Sequence, residues 1–358
     1  MRRRQIAGAD GIGPPAIAHS LMMRRPLSPI VRPVVGALWL LAALALAGRY
    51  LVAVELYSHF QPSLLLACAA ATLAALALRR WSAGLVSAAL ALALGWSAGP
   101  YLWPPPALPA EAGPQHVRFL WSNLRNWSTS SEALDVVLDD ARADIVMLTE
   151  LSARHARAVE RARARWPYQT RFPRGSAFDL LLLSRWEPRN LRIHEPFGDQ
   201  LPIFDALICP GVDLQDWAEA CVAVIALHAV RPALPGGFFG VPPTRRDTML
   251  ATAAAAVRRR TAEGHRVVLM GDLNTTPWSA SFRRVLDDSV LLDSATRPAE
   301  RPRWPRPTWF SYWPGIGLPI DHILLSPGWR IHERRLGPFF GSDHRPLVIE
   351  LSPIGRSG

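Results

Sequence analysis

The sequence predicts an α+β domain that follows three transmembrane helices. Three long apolar segments occupy residues 34–103 of the 358-residue chain, and a proline-rich stretch follows them. The remainder contains many short apolar runs and only two or three long helical patterns. Short apolar runs bounded by turn residues are typical of strands, and such a mixture places helices outside packed sheets.

The first part of the chain is polar and rich in arginine, and we predict residues 1–33 to be a disordered cytoplasmic tail. The apolar segments that follow are Val34–Tyr57, Pro62–Leu78 and Gly84–Trp103. Each is long enough to cross a hydrocarbon core of roughly 30 Å. The alternative, an alanine-rich soluble hairpin of helices, is disfavoured because the segments have almost no polar face.

Basic residues indicate how these segments are oriented. They lie before the first segment, at Arg24, Arg25 and Arg32, and between the second and third, at Arg79 and Arg80. Basic flanks stay in the cytoplasm. We therefore expect a multi-pass protein of a bacterial inner membrane, with its N-terminus cytoplasmic and everything after Trp103 periplasmic or extracellular.

The charge distribution weakens a nucleic-acid interpretation. The net charge is +11, but nine arginines against Asp10 and Glu55 give residues 1–103 a charge of +7. Only +4 is left for the remaining 255 residues. Most of the basic excess therefore flanks the apolar segments, where membrane topology explains it. Three cysteines exclude a cysteine-rich zinc module.

Residues 104–115 form a linker, because the five prolines of Pro104–Pro114 make this stretch semi-rigid. The folded domain then covers residues 116–353. Apolar runs predict its strands at His116–Ser122, Asp144–Thr149, Phe178–Ser184, Ile203–Cys209, Cys221–His228, Val267–Met270, Thr308–Tyr312, His322–Ser326, Trp329–Arg334 and Pro346–Leu351. Helical patterns predict helices at Ser131–Arg142, Ser152–Trp166, Thr244–Thr261 and Ala280–Leu286.

The stretch VVLMGDLNTTPWS, Val267–Ser279, organises the domain. An apolar strand stops at Gly271, and Asp272 and Asn274 follow two residues apart. Residues two apart in a strand point the same way, so a carboxylate and an amide face one spot. Such a pair can orient and deprotonate a water beside a metal-bound phosphate, although Asp and Asn after Gly also form ordinary turns.

Other polar residues recur where predicted strands begin or end. These are Asn123, Asn126, Glu150, His228, Asp321, Asp343 and His344. Carboxylates, amides and imidazoles at the ends of several strands can converge on one rim. Carboxylates suit magnesium, whereas the few histidines and the lack of cysteines at these positions argue against zinc.

In this order the motifs resemble those of the endonuclease/exonuclease/phosphatase superfamily. The matching features are Asn123 after strand one, Glu150 after strand two, His228 before a variable loop, the GDLN sequence, Asp321 before an apolar strand, and the terminal SDHRP. The resemblance implies a four-layer α/β/β/α sandwich, similar to deoxyribonuclease I, that hydrolyses phosphoesters with magnesium or, alternatively, manganese. Three apolar segments before such a domain resemble a membrane-anchored bacterial subgroup.

The resemblance also implies roles for individual residues. Glu150 corresponds to the metal-ligating glutamate, with Asn123 beside it and Asp343 near the metal. Asp272 corresponds to the aspartate that deprotonates water, and Asn274 to its phosphate-contacting partner. His344, oriented by Asp321, corresponds to the histidine that stabilises the transition state, and His228 to a second phosphate-side histidine. We further predict Asn126 and Arg231 to contact substrate.

The sequence leaves the substrate open. We favour a membrane-borne or surface-confined phosphoester at the lipid bilayer, since the linker keeps the domain near the membrane and Phe238 and Phe239 supply an apolar loop. An extracytoplasmic nuclease of DNA or RNA is the first alternative, and a non-catalytic binding module on the same fold is the second. Cys209 and Cys221 form either a disulfide or two buried thiols.

Overall fold

The computed structural model describes residues 30–102, 116–172, 178–198, 201–210, 221–232, 243–296, 306–311 and 317–354. Most of the predicted tail, the linker at 104–115, and Phe238 and Phe239 therefore lie outside the described residues. The helices are α1 (Val31–Ala47), α2 (Glu55–Ser58), α3 (Gln61–Ala77), α4 (Trp81–Leu102), α5 (Ser131–Ala141), α6 (Ala156–Ala162), α7 (Pro243–Ala262) and α8 (Ala280–Ser289).

Fourteen strands follow α4 in the described residues. They are β1 (Val117–Asn123), β2 (Ile145–Thr149), β3 (Tyr168–Phe172), β4 (Leu180–Ser184), β5 (Pro188–His194), β6 (Ile203–Ile208), β7 (Val222–His228), β8 (Arg266–Asp272), β9 (Leu292–Asp293), β10 (Trp309–Phe310), β11 (Gly317–Leu318), β12 (Asp321–Leu325), β13 (Trp329–Leu336) and β14 (Leu347–Pro353).

Twelve of these strands build two six-stranded sheets. One has the order β13-β14-β1-β2-β4-β3 and the other the order β5-β6-β7-β8-β12-β9. The central pairs β1–β2 and β7–β8 are parallel, whereas the other pairs are antiparallel. The carboxyl ends of each parallel pair meet at one edge of their sheet, and this geometry later brings the site together.

The two sheets pack face to face, and helices cover their outer faces. Along β1, Phe119 and Trp121 point into the core between the sheets, whereas Leu120 packs with α5 and α6. The outer face of the second sheet packs on α7 and α8 through residues such as Val257 and Val285. Side chains that alternate along a strand therefore pack on both faces of its sheet, in the core between the sheets and in the core under the helices. The result is the predicted α/β/β/α arrangement.

The predicted elements need several adjustments. β3 and β5 escaped prediction because YQTRF and PRNLRIH are polar strands at the sheet edges that bury only part of their side chains. The long helix predicted at Ser152–Trp166 is shorter, since a 3-10 turn at Ala153–His155 precedes α6. Cys209 and Cys221 form a disulfide that joins the chain after β6 to the start of β7.

The prediction of three transmembrane helices is not supported over the described residues. By length and apolar composition, one helix among the described residues, Trp81–Tyr101, is able to cross a membrane. A second span exists there only if Val52–Ser58 and Gln61–Ala77, which are bent by 63° relative to each other, form a single span. The apolar helix Val31–Ala47 has 17 residues and ends well before Tyr57. The chain after Ala47 instead folds against the sandwich, as described below.

Candidate active site

The site forms where both sheets end. Asn123 closes β1 beside Thr149 of β2, and Glu150 follows at once. In the second sheet His228, Asp272 and Asp321 are direct neighbours across three strands. Residues in register on adjacent strands point to the same face. The topology therefore aims these side chains at one edge of the sandwich, as the sequence predicts.

Gly271 is required where β7 and β8 run side by side. A Cβ atom at this position would lie 2.3 Å from the carbonyl oxygen of Leu227. No side chain is compatible with that approach, because Cβ atoms do not come within 3.0 Å of backbone oxygens. Glycine therefore lets β8 pack closely enough for Asp272 to stand beside His228.

Asn123 links the two carboxylates across the sheets. Its Nδ2 donates to Glu150 Oε1 at 2.8 Å and to Asp272 Oδ2 at 3.2 Å, while its Oδ1 accepts from the Arg125 N–H at 2.9 Å. Asn123 thus presents its nitrogen to the two acids. The amide organises Glu150 and Asp272, and its predicted role as a metal ligand stays a prediction.

His344 and Asp321 form the predicted pair. His344 Nδ1 lies 2.8 Å from Asp321 Oδ2, and the other oxygen of Asp321 accepts from the indole Nε1 of Trp121 at 2.8 Å. Burial alone would lower the pKa of His344, but the charges of Asp321 and Asp272 outweigh it and raise that pKa to about 9. His344 is therefore a cation at neutral pH, oriented as a donor toward the site.

Asp272 is the most perturbed acid of the site. Burial raises the pKa of Asp272 to about 8, reinforced by the negative charge of Asp321 and opposed by His344, whose Nε2 lies 3.8 Å away. A carboxylate that binds a proton near neutral pH suits a general base. One oxygen of Asp272, one oxygen of Asp321 and one ring nitrogen of His344 all lie within 4.8 Å of one another.

His228 stands between the two acids. Its Nε2 lies 3.5 Å from Asp272 Oδ2 and 3.8 Å from Glu150 Oε1. The ring packs on Phe178 at 4.7 Å between centroids, and its Nδ1 is 3.4 Å from the hydroxyl of Thr149. The structure thus brings His228 into the site with the residues predicted for catalysis.

Asn274 is held by the ends of two strands. Its Nδ2 donates to the carbonyl oxygen of Ala229 at 2.7 Å, and its N–H donates to Asp272 Oδ1 at 3.0 Å. Its φ of 48° lies in the left-handed region, which asparagine tolerates. Asn274 therefore ties the end of β8 to the end of β7, and its contact with a phosphate stays a prediction.

Asp343 lies at the outer rim. Its Oδ2 accepts from the indole Nε1 of Trp309 at 3.2 Å and lies 3.5 Å from Arg125 Nε. Arg125 also stacks on Trp127, whose side chain is 58% exposed, with its guanidinium carbon 4.0 Å from the ring centroid. The structure therefore places Asp343 beside cationic and aromatic groups.

The two predicted substrate contacts lie farther out. Asn126 occupies the turn between Arg125 and Trp127, and it is partly exposed. Arg231 is exposed just after Val230, three residues beyond His228. Both positions follow strands that build the site. Their contact with substrate stays a prediction.

Sequence reasoning missed the residues that hold Glu150. Glu150 has a φ of 55°, a conformation that costs a non-glycine residue about 1 kcal/mol or more. Asp179 supports the turn, since its Oδ1 accepts from the Leu151 N–H at 3.1 Å and its carbonyl oxygen accepts from the Thr149 hydroxyl at 2.7 Å. Arg171 Nε donates to Asp179 at 2.8 Å. A polar residue before the apolar run LLLLS was the available signal.

The donor set of the site fits a hard divalent cation. Glu150 keeps 17% of its side chain exposed, and it faces the buried Asp272 through Asn123. The raised pKa of Asp272, caused first by burial and then by Asp321, reflects negative charge that a cation would offset. Oxygen ligands of this kind are those that magnesium and manganese take.

Comparison with known proteins agrees with this geometry. The profile of the Endonuclease/Exonuclease/phosphatase family matches residues 120–344. A search of curated proteins found no match to the sequence. Many solved structures share the fold.

Three of these structures illustrate the likeness. A 3′ phosphatase, NExo, from Neisseria, bound to product DNA hairpin, has a TM-score of 0.53 and 20% identity over 66% of this chain and 99% of its own. An endonuclease/exonuclease/phosphatase from Beutenbergia cavernae DSM 12333 has a TM-score of 0.51 and 16% identity, covering 67% and 72%. Truncated TDP2 from Caenorhabditis elegans has a TM-score of 0.51 and 14% identity over 66% of this chain and 97% of its own. The chain belongs to the endonuclease/exonuclease/phosphatase family.

Proposed function

We propose that the protein is a membrane-anchored, metal-dependent phosphoester hydrolase, acting on phosphodiesters outside the cytoplasm. The observation that carries the proposal is the convergence of Asp272, Glu150, His228 and the Asp321–His344 pair from both sheets onto one edge. A binding module would not need a buried acid with a pKa raised by burial beside a buried imidazolium. The binding-module alternative is therefore less favoured.

The residues divide the chemistry between them. Asp272, in its deprotonated form, accepts the proton of the attacking water, and the Asn123 amide holds Asp272 and Glu150 in place. His344 is protonated and donates from Nε2 to a non-bridging phosphate oxygen, where negative charge develops. Asp321 and the Trp121 indole fix the orientation of that imidazole. His228 is placed to contact the same phosphate.

Glu150, with Asp343 and Asn123 nearby, would hold the cation, which we propose to be magnesium, with manganese as the alternative. When bound, it polarises the phosphate and eases charge on the leaving oxygen. His344 is not among the ligands we propose, because its proton and its bond to Asp321 make it a donor. The protein residues thus supply both the base and the anion-stabilising donor.

Three observations support membrane anchoring and an extracytoplasmic location. Leu85, Leu92 and Trp96 of α4 are 72–88% exposed, and apolar surface of that kind requires a lipid or protein cover. The disulfide between Cys209 and Cys221 suits an oxidising compartment. The ends of α1 and α4 contact the catalytic domain, whereas Arg79 and Arg80 lie at the opposite end of α4.

Two classes of substrate compete. A lipid-like or surface-confined phosphodiester is favoured because the membrane helices pack directly on the catalytic domain and the domain charge is only +4. The nuclease alternative is favoured by the exposed Trp127 under Arg125, since stacked aromatics and arginines bind nucleobases. The similar Neisseria structure contains a DNA hairpin, which is a property of that protein.

The test uses the purified full-length chain in detergent with bis(4-nitrophenyl) phosphate. We expect hydrolysis with magnesium or manganese, none with EDTA, and recovery when the metal is restored. Phospholipid vesicles, single-stranded DNA and duplex DNA then separate the substrate classes. Cleavage of DNA with no cleavage of phospholipid establishes the nuclease alternative, and failure on all four with either metal contradicts the proposed function.

A further inference from the structure

The N-terminal helices contact the catalytic domain at the segment that follows Asp272. The connection Gly48–Phe60, which we call the junction loop, leaves α1 and returns through α2 to α3. The N–H of Ala280 donates to the carbonyl oxygen of Gly48 at 3.1 Å. Within the junction loop, Glu55 is only 3% exposed. A buried carboxylate needs partners, and Glu55 finds them in the catalytic domain.

The carboxylate of Glu55 joins three groups of that domain. Its Oε2 accepts from the Ser281 hydroxyl at 2.6 Å, and its Oε1 accepts from the Thr275 hydroxyl at 3.2 Å. Its Oε1 also lies 3.0 Å from Nη2 of Arg246, which is 1% exposed. A buried ion pair with additional hydrogen bonds is strongly destabilised when one partner is removed.

The partners of Glu55 are themselves connected to the catalytic residues by hydrogen bonds. Nη1 of Arg246 donates to the carbonyl oxygen of Asn274 at 3.4 Å, and the N–H of Asn274 donates to Asp272 Oδ1 at 3.0 Å. Thr275 follows Asn274 in the chain, and its carbonyl oxygen accepts from His322 Nε2 at 2.9 Å. The segment Asp272–Ser281 is therefore held in place by Glu55, a residue of the junction loop.

A second contact of the junction loop acts on the same segment. His59, 5% exposed, places Nδ1 2.9 Å from the Thr276 hydroxyl. Thr276 in turn accepts at its carbonyl oxygen from the Ser279 N–H at 3.0 Å. The turn between Asp272 and α8 thus has side-chain partners from the junction loop at two consecutive residues.

We propose that Glu55 is a positioning residue for hydrolysis, acting through Arg246 and Thr275 on Asp272 and Asn274. This inference rests on the proposed function for the reaction that it assists. Without the Glu55 carboxylate, Arg246 keeps Asp247 as its acidic partner, and two buried hydroxyls lose an acceptor. The segment then relaxes, and displacements of about 1 Å in catalytic groups cost up to about 100-fold in rate.

A matched control separates this effect from loosened docking. Tyr101 of α4 is buried, donates to Asp293 Oδ2 at 3.0 Å, and meets Trp278 edge-on at 5.8 Å between centroids. Tyr101→Phe removes one hydrogen bond of the same contact between helices and domain and keeps the ring. It does not touch Asp272, Asn274 or Arg246.

The experiment compares full-length wild type, Glu55→Ala, Glu55→Gln and Tyr101→Phe in detergent. We expect Glu55→Ala to lower kcat on bis(4-nitrophenyl) phosphate by about 10- to 100-fold with KM within about threefold. Glu55→Gln keeps an acceptor oxygen and should retain an intermediate kcat, whereas Tyr101→Phe should stay within about twofold of wild type. Amide hydrogen exchange in peptides covering Asp272–Phe282 should accelerate in both Glu55 variants and not in Tyr101→Phe.

Amide hydrogen exchange gives this test a readout that does not depend on enzyme activity. An inactive wild type with faster exchange in the Glu55 variants contradicts the proposed function alone. Unchanged exchange and unchanged kcat in Glu55→Gln contradict the positioning role. An equal loss of kcat in Tyr101→Phe also contradicts it, since docking in general would then be responsible. If Glu55→Ala does not fold, Glu55→Gln carries the comparison.

Discussion

At the residue scale, the site depends on buried charges that compensate one another. The Asp321 carboxylate, the His344 imidazolium and the Asp272 carboxyl are all nearly inaccessible to solvent. Burial would raise the pKa of Asp321, yet His344 outweighs it and keeps that pKa low. Asp272 lies farther from His344, at 3.8 Å, and burial together with the charge of Asp321 raises its pKa to about 8. One acid is thereby fixed as an anion and the other is left able to exchange a proton.

The raised pKa of His344 makes stability depend on pH. Its folded-state pKa of about 9 exceeds the ordinary histidine pKa of 6.5, so the folded protein holds a proton that the unfolded chain loses. The contribution is fully present below about pH 6.5 and disappears as pH rises through about 9. We expect the thermal midpoint of wild type, measured in EDTA, to fall over this window, and that of His344→Gln to fall less. Equal pH dependence in the two proteins would contradict the charged state assigned to His344.

Asp179 provides a second test at this scale. It is fully buried, and it holds the left-handed turn that presents Glu150. Asp179→Ala leaves the Leu151 N–H without its acceptor and removes the acidic partner of Arg171, which should lower stability by about 1–3 kcal/mol. We expect the magnesium concentration for half-maximal rate to rise as well, because Glu150 loses its support. An unchanged metal requirement would show that Asp179 serves the fold alone.

The residues named by motif were predictable, and their supports were not. Asn123, Glu150, His228, Asp272, Asp321 and His344 all reach the same edge, because each lies at or next to the end of a strand that apolar runs make visible. Trp121 contacts Asp321 only after the sheets pack, and Asp179 reaches the residues beside Glu150 only when β4 pairs with β2. Nothing in the local sequence says that an indole will bond Asp321. Contacts across sheets are set by tertiary packing, which periodicity does not report.

At the scale of elements, buried strands were predictable and edge strands were not. β2, β4 and β7 are buried along their whole length and read as apolar runs. β3 and β5 lie at the sheet edges, and their mixed sequences lack both a continuous apolar run and clear alternation. The first apolar segment was also misjudged, because α1 ends at Ala47 and the residues after it pack on the catalytic domain.

The disulfide between β6 and β7 gives a test at the same scale. It joins residues 12 apart in sequence, and closing a loop of that size removes enough chain entropy to stabilise the fold by about 3 kcal/mol. The double variant Cys209→Ser/Cys221→Ser should therefore have a lower thermal midpoint. Reducing agent should lower the midpoint of wild type and leave the variant unaffected.

Thiol labelling of the denatured, unreduced chain supplies the control. The sequence has three cysteines, and Cys68 is the free one. One labelled thiol per chain is expected before reduction and three after it. Three labelled thiols before reduction would show that the bond does not form.

At the scale of the whole molecule, the N-terminal helices contact the catalytic domain through buried side chains. Glu55 and His59 of the junction loop and Tyr101 of α4 are all buried in contact with the catalytic domain. The lone carboxylate within the apolar segment Val34–Tyr57 was the signal for this contact, since charges in such segments usually have a specific partner. The sequence does not reveal that partner, because Arg246 lies about 190 residues away in a region predicted only as a helix.

This arrangement fixes an expectation for topology. A reporter that works only outside the cytoplasm, fused after Gly358, should be active, because the proposed function places the catalytic domain outside the cytoplasm. A reporter that works only in the cytoplasm should be silent at the same position. The reverse pattern would overturn the proposed location.

The central claim is that the converged residues hydrolyse phosphoesters with a divalent cation. The most direct measurement is kcat of Asp272→Asn and His344→Ala on bis(4-nitrophenyl) phosphate with magnesium, beside the Trp127→Ala variant, which alters the rim and leaves the buried groups intact. Each of the first two should lose on the order of 10²–10⁴ in kcat while far-ultraviolet circular dichroism stays native. A near-native kcat in either, with wild type active, would contradict the roles assigned to Asp272 and His344.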